Sequence, residues 1–352
     1  MYSIINLYKL KFIIIRGGNI MENIIKNHKE NGIPKIDMHV HYIPDAYKEA
    51  LLNCDENSDG ITTHGITTPE WSVEAHLDTM KHLGISTSML ALTTPHINFG
   101  DDNATKILAR KVNEDGAELV KKYPTKFGLL ASLPLPNVED SIKEIQYAME
   151  VLHADGFTLP TNTQGVYLGN PCLDPIFEEL NNRKAVVVLH PNKPSAVPEN
   201  VVEGFPIPWM EFFFDTTRTV TNMILKGTLR RFPDIKFVIP HAGAFLSILV
   251  DRIDPALEMM DPKNKIDVYG ELKGLYYDVA GVCLPRQLAN LLQIVDISHL
   301  FYGSDYPYTP EYGCVLLADA LDKTDLLTDE QRHAIYYDNA LELFPRLKDN
   351  KK

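Results

Sequence analysis

Cysteine is scarce in this 352-residue chain and unpatterned where it occurs: Cys54, Cys172, Cys283 and Cys314 form no C-x-x-C or similar spacing. That argues against a thiolate metal finger and a disulfide framework, and it suits free thiols in a reducing, cytoplasmic compartment. Long apolar runs are missing too. The N-terminal "MYSIINLYKLKFIII" is too short to span a bilayer, and no small-residue cleavage site follows it, so no membrane partner is expected. Positive charge is outnumbered, with 34 Lys and Arg against 47 Asp and Glu and a net charge of −13, which speaks against a nucleic-acid partner. No G-x-G-x-x-G follows the first strand pattern and no Walker sequence occurs, so the nucleotide-binding folds lose their main support. There is no internal repeat and no low-complexity segment.

The N-terminus is read separately. "RGGNI" precedes Met21, and Arg-Gly-Gly can be encoded by a purine-rich ribosome-binding stretch. The expectation is that residues 1–20 are such a translated stretch, with Met21 the true start. Residues 1–32 then form an extension, and residues 33–348 a single domain.

What the chain does have is strict alternation of strand and helix patterns. With 45% apolar and 23% charged residues it can build a large core. Strands are expected at 33–41, 85–94, 126–134, 156–160, 185–190, 235–241, 275–280 and 299–305, each followed by a helical period. Helix signals include an Asn137 N-cap with a stop at Gly156, an N-cap at Asp215, and a kink or break at Pro255. A capping box is expected from Thr328 to Gln331. Eight repeats predict α/β architecture closed as one (β/α)8 TIM barrel, with Pro/Gly/Asn-rich rim insertions at 44–69 and 191–214.

Polar residues end those strands. "KIDMHVHYIP" places Asp37, His39 and His41 two apart, on one strand face. Strand five ends in His190, strand six in His241 and strand eight in Asp305. Barrel enzymes draw their chemistry from the C-terminal ends of several strands, so His39, His41, His190, His241 and Asp305 are expected to converge. Three neutral imidazoles and one carboxylate around a divalent ion leave a position open for water or substrate. The ligand types suit Zn²⁺ first, with Mn²⁺ among the alternatives.

"KIDMHVHYIP", "VVLHP", "RFPDIKFVIPHAG" and "FYGSDYP" together resemble the amidohydrolase superfamily over residues 35 to about 345. They are most similar to its amidohydrolase-2 branch, which holds aminocarboxymuconate-semialdehyde, γ-resorcylate and 6-methylsalicylate decarboxylases. The resemblance implies a metal-dependent hydrolase type of barrel with one metal held by His39, His41, His190 and Asp305. It implies His241 as a base or hydrogen-bond donor beside the metal, and Asp305 as a proton donor to the substrate carbon as well. Binuclear relatives use a lysine on strand four, and "GFTLPTN" offers none. Asp37 stands where some members have a metal-binding Glu; the shorter Asp is expected to orient a ligand, with direct binding as the alternative. The branch's arginine after strand one has no counterpart, since no Arg lies between Asp37 and Arg110. Its second arginine falls eleven residues after the strand-six histidine, where Arg252 stands, and implies a homodimer sharing residues between sites.

The expected activity is therefore non-oxidative decarboxylation of a small aromatic or unsaturated carboxylic acid. The alternative is hydrolysis of a lactone, ester or amide by metal-activated water, which the same side chains serve. In "GFPIPWMEFFFD", Trp209 and Phe212 to Phe214 are candidate walls for a planar substrate. His64 and His96 sit in rim loops, where loop histidines are usually just solvated; contact with substrate is the alternative. His28, His76, His82, His153, His299 and His333 are read as structural.

Overall fold

A computed structural model describes residues 18–54, 62–63, 65–263 and 265–351. Eight parallel strands run β1 (Lys35–His41), β2 (Ile85–Ala91), β3 (Phe127–Ser132), β4 (Gly156–Pro160), β5 (Val186–His190), β6 (Lys236–Ile239), β7 (Tyr276–Asp278) and β8 (Leu300–Phe301). Each pairs with the next in sequence order. The ring closes where the Met38 N–H donates to the Tyr302 carbonyl (2.9 Å), the Asp305 N–H to that of His39 (2.8 Å) and the His41 N–H to that of Tyr306 (2.8 Å). The expected (β/α)8 barrel is therefore present.

The β1–β2 ladder shifts register between Asp37 and Val40, so Asp37 does not share a regular face with His39 and His41. β8 is shorter than expected because the chain leaves extended geometry to enter the mouth. At Gly303 a Cβ would stand 2.7 Å from the His39 Cβ, and Asp305 then adopts φ 60°. Only a glycine lets β8 approach β1 so closely. Beyond β6, His241 (φ 55°), Ala242 (φ 49°) and Gly243 (φ 76°) turn left-handed in succession. Gln287 braces this turn by donating to the carbonyls of His241 and Ala244.

Apolar side chains fill two shells. Ile36, Met38, Met89, Leu130, Val188 and Phe301 pack inside the barrel toward its lower end. A larger set, including Val40, Leu90, Leu129 and Leu189, packs between strands and helices. Asn137 caps its helix (Val138–Glu150) by accepting from the Asp140 N–H, and the Thr328–Gln331 capping box forms.

Three helix expectations are corrected. The helix after Asn137 stops at Glu150, and Gly156 instead opens β4, where a Cβ would meet the Val186 carbonyl at 2.6 Å. Asp215 is not a cap: its helix begins at Glu211. There it is fully buried, accepting from Asn162 Nδ2 (2.9 Å) and the Tyr167 hydroxyl (2.6 Å). Pro255 does not break its helix, which runs from Leu246 to Met260. Residues 251 and 255 both face solvent, so water serves the carbonyl that the missing N–H leaves open.

The described part of the N-terminal extension is a helix, Gly18–Asn27. His28 then pairs with Asp319 at 3.0 Å, and Asn31 with Asp322. The expected start at Met21 concerns residues 1–20, of which 1–17 lie outside the described residues, as does His64. No helix among the described residues is long and apolar enough to cross a membrane.

Candidate metal centre

The C-terminal mouth of the barrel gathers the polar strand ends. The His39 ring lies 5.1 Å from that of His41, 5.4 Å from His190 and 4.8 Å from His241. Asp305 Oδ1 is 3.2 Å from His41 Nε2 and 3.5 Å from His39 Nε2. Two overlapping triads result, His39–His41–His190 and His39–His241–Asp305, each with its donor atoms within 4.8 Å of one another.

His39, His190, His241 and Asp305 are each held from behind. His39 Nδ1 donates to Asp278 Oδ2 (2.8 Å), which aims Nε2 into the mouth. Asp278 Oδ1 accepts from the backbone N–H of His241 (2.9 Å), so one carboxylate places two imidazoles. His190 Nδ1 donates to the Pro191 carbonyl (2.7 Å), which leaves its Nε2 as an acceptor, 3.0 Å from the Thr93 hydroxyl. The Thr309 hydroxyl donates to Asp305 Oδ2 (3.2 Å). His241 lies flat against Phe213, with centroids 5.7 Å apart.

The electrostatics suit a cation. Burial opposes charge on His39, but Asp278 and then Asp305 outweigh it and raise that imidazole to about 10. Burial also opposes ionisation of Asp305, and the neighbouring His39 and His41 imidazoles overcome it, holding the carboxyl well below its ordinary range. Burial lowers His41 and His190, and it pushes His241 down to about 4, with the charge on His39 adding to the effect. His39 Nε2 and His41 Nδ1 are buried with no hydrogen-bond partner. Buried nitrogens are normally paired. An unpaired imidazole nitrogen beside a carboxylate, as His39 Nε2 stands 3.5 Å from Asp305 Oδ1, fits a divalent ion, and these residues therefore fit the group that the strand-end pattern calls for.

The other expected site residues fall at different distances. Asp37 is fully buried and binds backbone, accepting from the N–H groups of His39 (3.3 Å) and Ser304 (3.0 Å). Burial raises its carboxyl to about 7. It ties β1 to the segment after β8 and belongs to neither donor triad. Phe212 is buried with its ring 6.1 Å from His190. Trp209 is 64% exposed and packs edge-on against Phe205. Arg252 lies exposed on the helix Leu246–Met260.

Sequence reasoning missed Asp278 and Thr93, and it misplaced His96. Asp278 ends β7 as His190 ends β5, so the strand-end rule applied there too. His96 is not solvated: it is 4% exposed, and its ring is 5.7 Å from His190. His76 is structural, as expected, buried against Phe127 and Tyr306.

A family model described as amidohydrolase matches residues 36–346. A decarboxylase of Aspergillus niger is 34% identical over 333 residues, covering 89% of this chain and 88% of that protein. A 6-methylsalicylic acid decarboxylase of Aspergillus aculeatus is 31% identical over 325 residues, covering 89% and 97%. A solved amidohydrolase II superimposes with a TM-score of 0.84 at 45% identity, covering 88% of this chain and 99% of that one. The fold is also shared with a dihydroxybenzoic acid decarboxylase of Polaromonas sp. solved with bound manganese, at TM-score 0.74 and 20% identity, covering 90% and 99%.

Proposed function

The chain belongs to the amidohydrolase family, and we propose that it is a metal-dependent, non-oxidative decarboxylase of a small hydroxybenzoate-like acid. The observation that carries this is the cluster at the barrel mouth of three buried imidazoles, His39, His41 and His190, with the half-buried His241 and Asp305, in a chain whose relatives include a 6-methylsalicylic acid decarboxylase. One divalent ion per chain would be held by His39, His41, His190 and Asp305. Zinc is our first assignment from the imidazole-rich donor set, and manganese, present in the Polaromonas enzyme, is the alternative. When bound, the ion supplies Lewis-acid stabilisation of negative charge on a substrate oxygen.

The chain's own groups do the rest. Asp278 and the Pro191 carbonyl fix the orientation of His39 and His190, so the donors need no reorganisation when substrate arrives. His241, neutral at physiological pH, accepts or relays a hydrogen bond beside the reacting ring. Decarboxylation breaks the bond between ring carbon and carboxylate, releases CO₂ and consumes one proton at that carbon. Asp305 keeps 21% of its side-chain surface exposed, which gives that proton a route from solvent; it would hold the proton at a carboxylate oxygen and pass it on. Phe212 and Phe213 would shield the ring from water.

We further assign a homodimer in the cytoplasm. Arg252 and the exposed apolar side chains Trp209, Phe214 and Ile248 support an interface on the rim side. Sedimentation of wild type against Arg252→Glu tests it.

Elemental analysis of wild type and His190→Ala, with CO₂ release measured from 6-methylsalicylate and dihydroxybenzoates, tests the main reading. About one metal per chain, lost in the variant, together with CO₂ release is the expected result. Metal without CO₂ from any of these acids overturns the decarboxylase reading.

A further inference from the structure

A cavity of about 30 Å³ lies against His96, whose ring is 5.7 Å from that of His190. Its lining includes His96, Ser132 and Thr158, which are 4%, 2% and 1% exposed. His96 Nε2, Ser132 Oγ and Thr158 Oγ1 are all buried without a hydrogen-bond partner. A lone unpaired hydroxyl in a core is unremarkable strain. Three unpaired polar atoms around one small space are costly, at roughly 1–3 kcal/mol each, unless something occupies it.

Position adds to this. β3 ends at Ser132, and Thr158 lies inside β4, both at the barrel's functional end. His96 is held at φ 61°, as His241 and Asp305 are held at φ 55° and 60°, and such backbone strain gathers where side chains are aimed for use. The small cavity shares Pro95, Asn98, Gln164 and Asn192 with a larger pocket of about 440 Å³, which also carries the exposed Lys193. Asn192 accepts from the Thr94 hydroxyl at 2.6 Å, two residues from His96 and two from His190.

We propose that this cavity is a specificity pocket for a neutral hydroxyl on the substrate ring, bound by His96, Ser132 and Thr158. This rests on the decarboxylase reading for the identity of the ring. The volume admits one hydroxyl-sized group, since a water needs about 10–15 Å³ on this measure. It cannot take a ring. A carboxylate is disfavoured because the lining holds no lysine or arginine. The larger pocket, which shares four lining residues with the cavity, has the volume to take the ring. The cavity therefore discriminates acids by a second polar substituent. A site built to hydrogen-bond a hydroxyl rejects the analogue that lacks it, because its own groups are left unpaired.

Calorimetric titration of the Mn²⁺-loaded protein with phenol, catechol, resorcinol and hydroquinone tests this without requiring turnover. At least one dihydroxy isomer should bind about tenfold more tightly than phenol. The double variant Ser132→Ala with Thr158→Val, which removes both hydroxyls at little change in volume, should abolish that preference. If near-UV circular dichroism shows the double variant unfolded, Ser132→Ala alone serves, because the backbone of Ser132 stays bonded to Asn113; about a threefold loss of preference is expected there. No preference in wild type, no binding of any of the four, or a preference that survives the variants overturns the proposal and leaves the cavity to a resident water. Preference retained in a protein that releases no CO₂ from any acid would sink the decarboxylase reading and leave the pocket standing.

Discussion

Along the barrel axis the interior changes character within two residues. Toward the lower end it is packed with Met38, Met89, Leu130, Val188 and Phe301. One layer higher the same strands, or the turns just beyond them, present His39, Ser132, Thr158, His190 and Asp305, all but Asp305 buried. The lower layer buries apolar surface with nothing to satisfy. The upper layer buries nitrogens and oxygens, several of them unpaired, and gains little from doing so. Stability and chemistry are thus stacked on shared strands, and each layer is expected to tolerate damage to the other.

The largest effect is expected in the upper layer. Asp305→Asn removes the carboxylate facing His39 and His41. CO₂ release should fall at least about 10³-fold, because both the cation site and the proton route are lost. The melting temperature should hardly move. A variant that unfolds would show that the upper layer carries stability after all.

Next comes the lower layer. Phe301 is fully buried, with its ring 5.7 Å from that of Tyr276. Phe301→Ala should cost about 3–5 kcal/mol through lost transfer energy and the cavity left behind, read by urea denaturation. Metal content per folded chain should stay at the wild-type value. Metal loss in the folded variant would break the separation of layers.

Much of this stacking was legible in the sequence. Alternation located all eight strands, and β4 falls at its expected bounds. The five strand-end residues converge because a barrel forces the C-terminal ends of its strands together. Legibility failed where tertiary contact decides. His96 and Ser132 have no local pattern, since their meaning comes from a cavity that three segments make together. Asp215 follows an aromatic run like a cap, and only its contacts with Asn162 and Tyr167 reveal it as a buried hub. The ladder stops early at β8 because Gly303 and the left-handed Asp305 bend the chain into the mouth, and hydropathy alone does not report φ.

His76 sharpens the comparison, because it is the same residue type outside both layers. Burial lowers it to about 3, and its Nδ1 accepts from Trp71 Nε1 at 3.1 Å. The unfolded chain takes up that proton near pH 6.5 and the folded chain near pH 3. The unfolded state therefore binds more protons within this window, and stability falls as pH drops through it. The neutral ring's contribution is complete above about pH 6.5, and about 2 kcal/mol of it is lost by pH 5. His76→Phe should flatten the acid limb of stability against pH by that amount, whatever its stability at neutral pH. An unchanged slope would move the acid sensitivity to the imidazoles of the mouth.

The smallest effect is expected at Pro255, in the outer shell. Alanine there restores an N–H to the helix Leu246–Met260. One exposed backbone hydrogen bond is worth about 1 kcal/mol, and losing proline's restraint on the unfolded chain takes back about 0.4–1 kcal/mol. The two nearly cancel, so Pro255→Ala should shift stability by less than about 1 kcal/mol and leave metal content and CO₂ release unchanged. A marked loss of activity would mean that the helix carrying Arg252 acts on the mouth, from this chain or from a second copy. Sedimentation of the variant separates those two, because only the second changes with association.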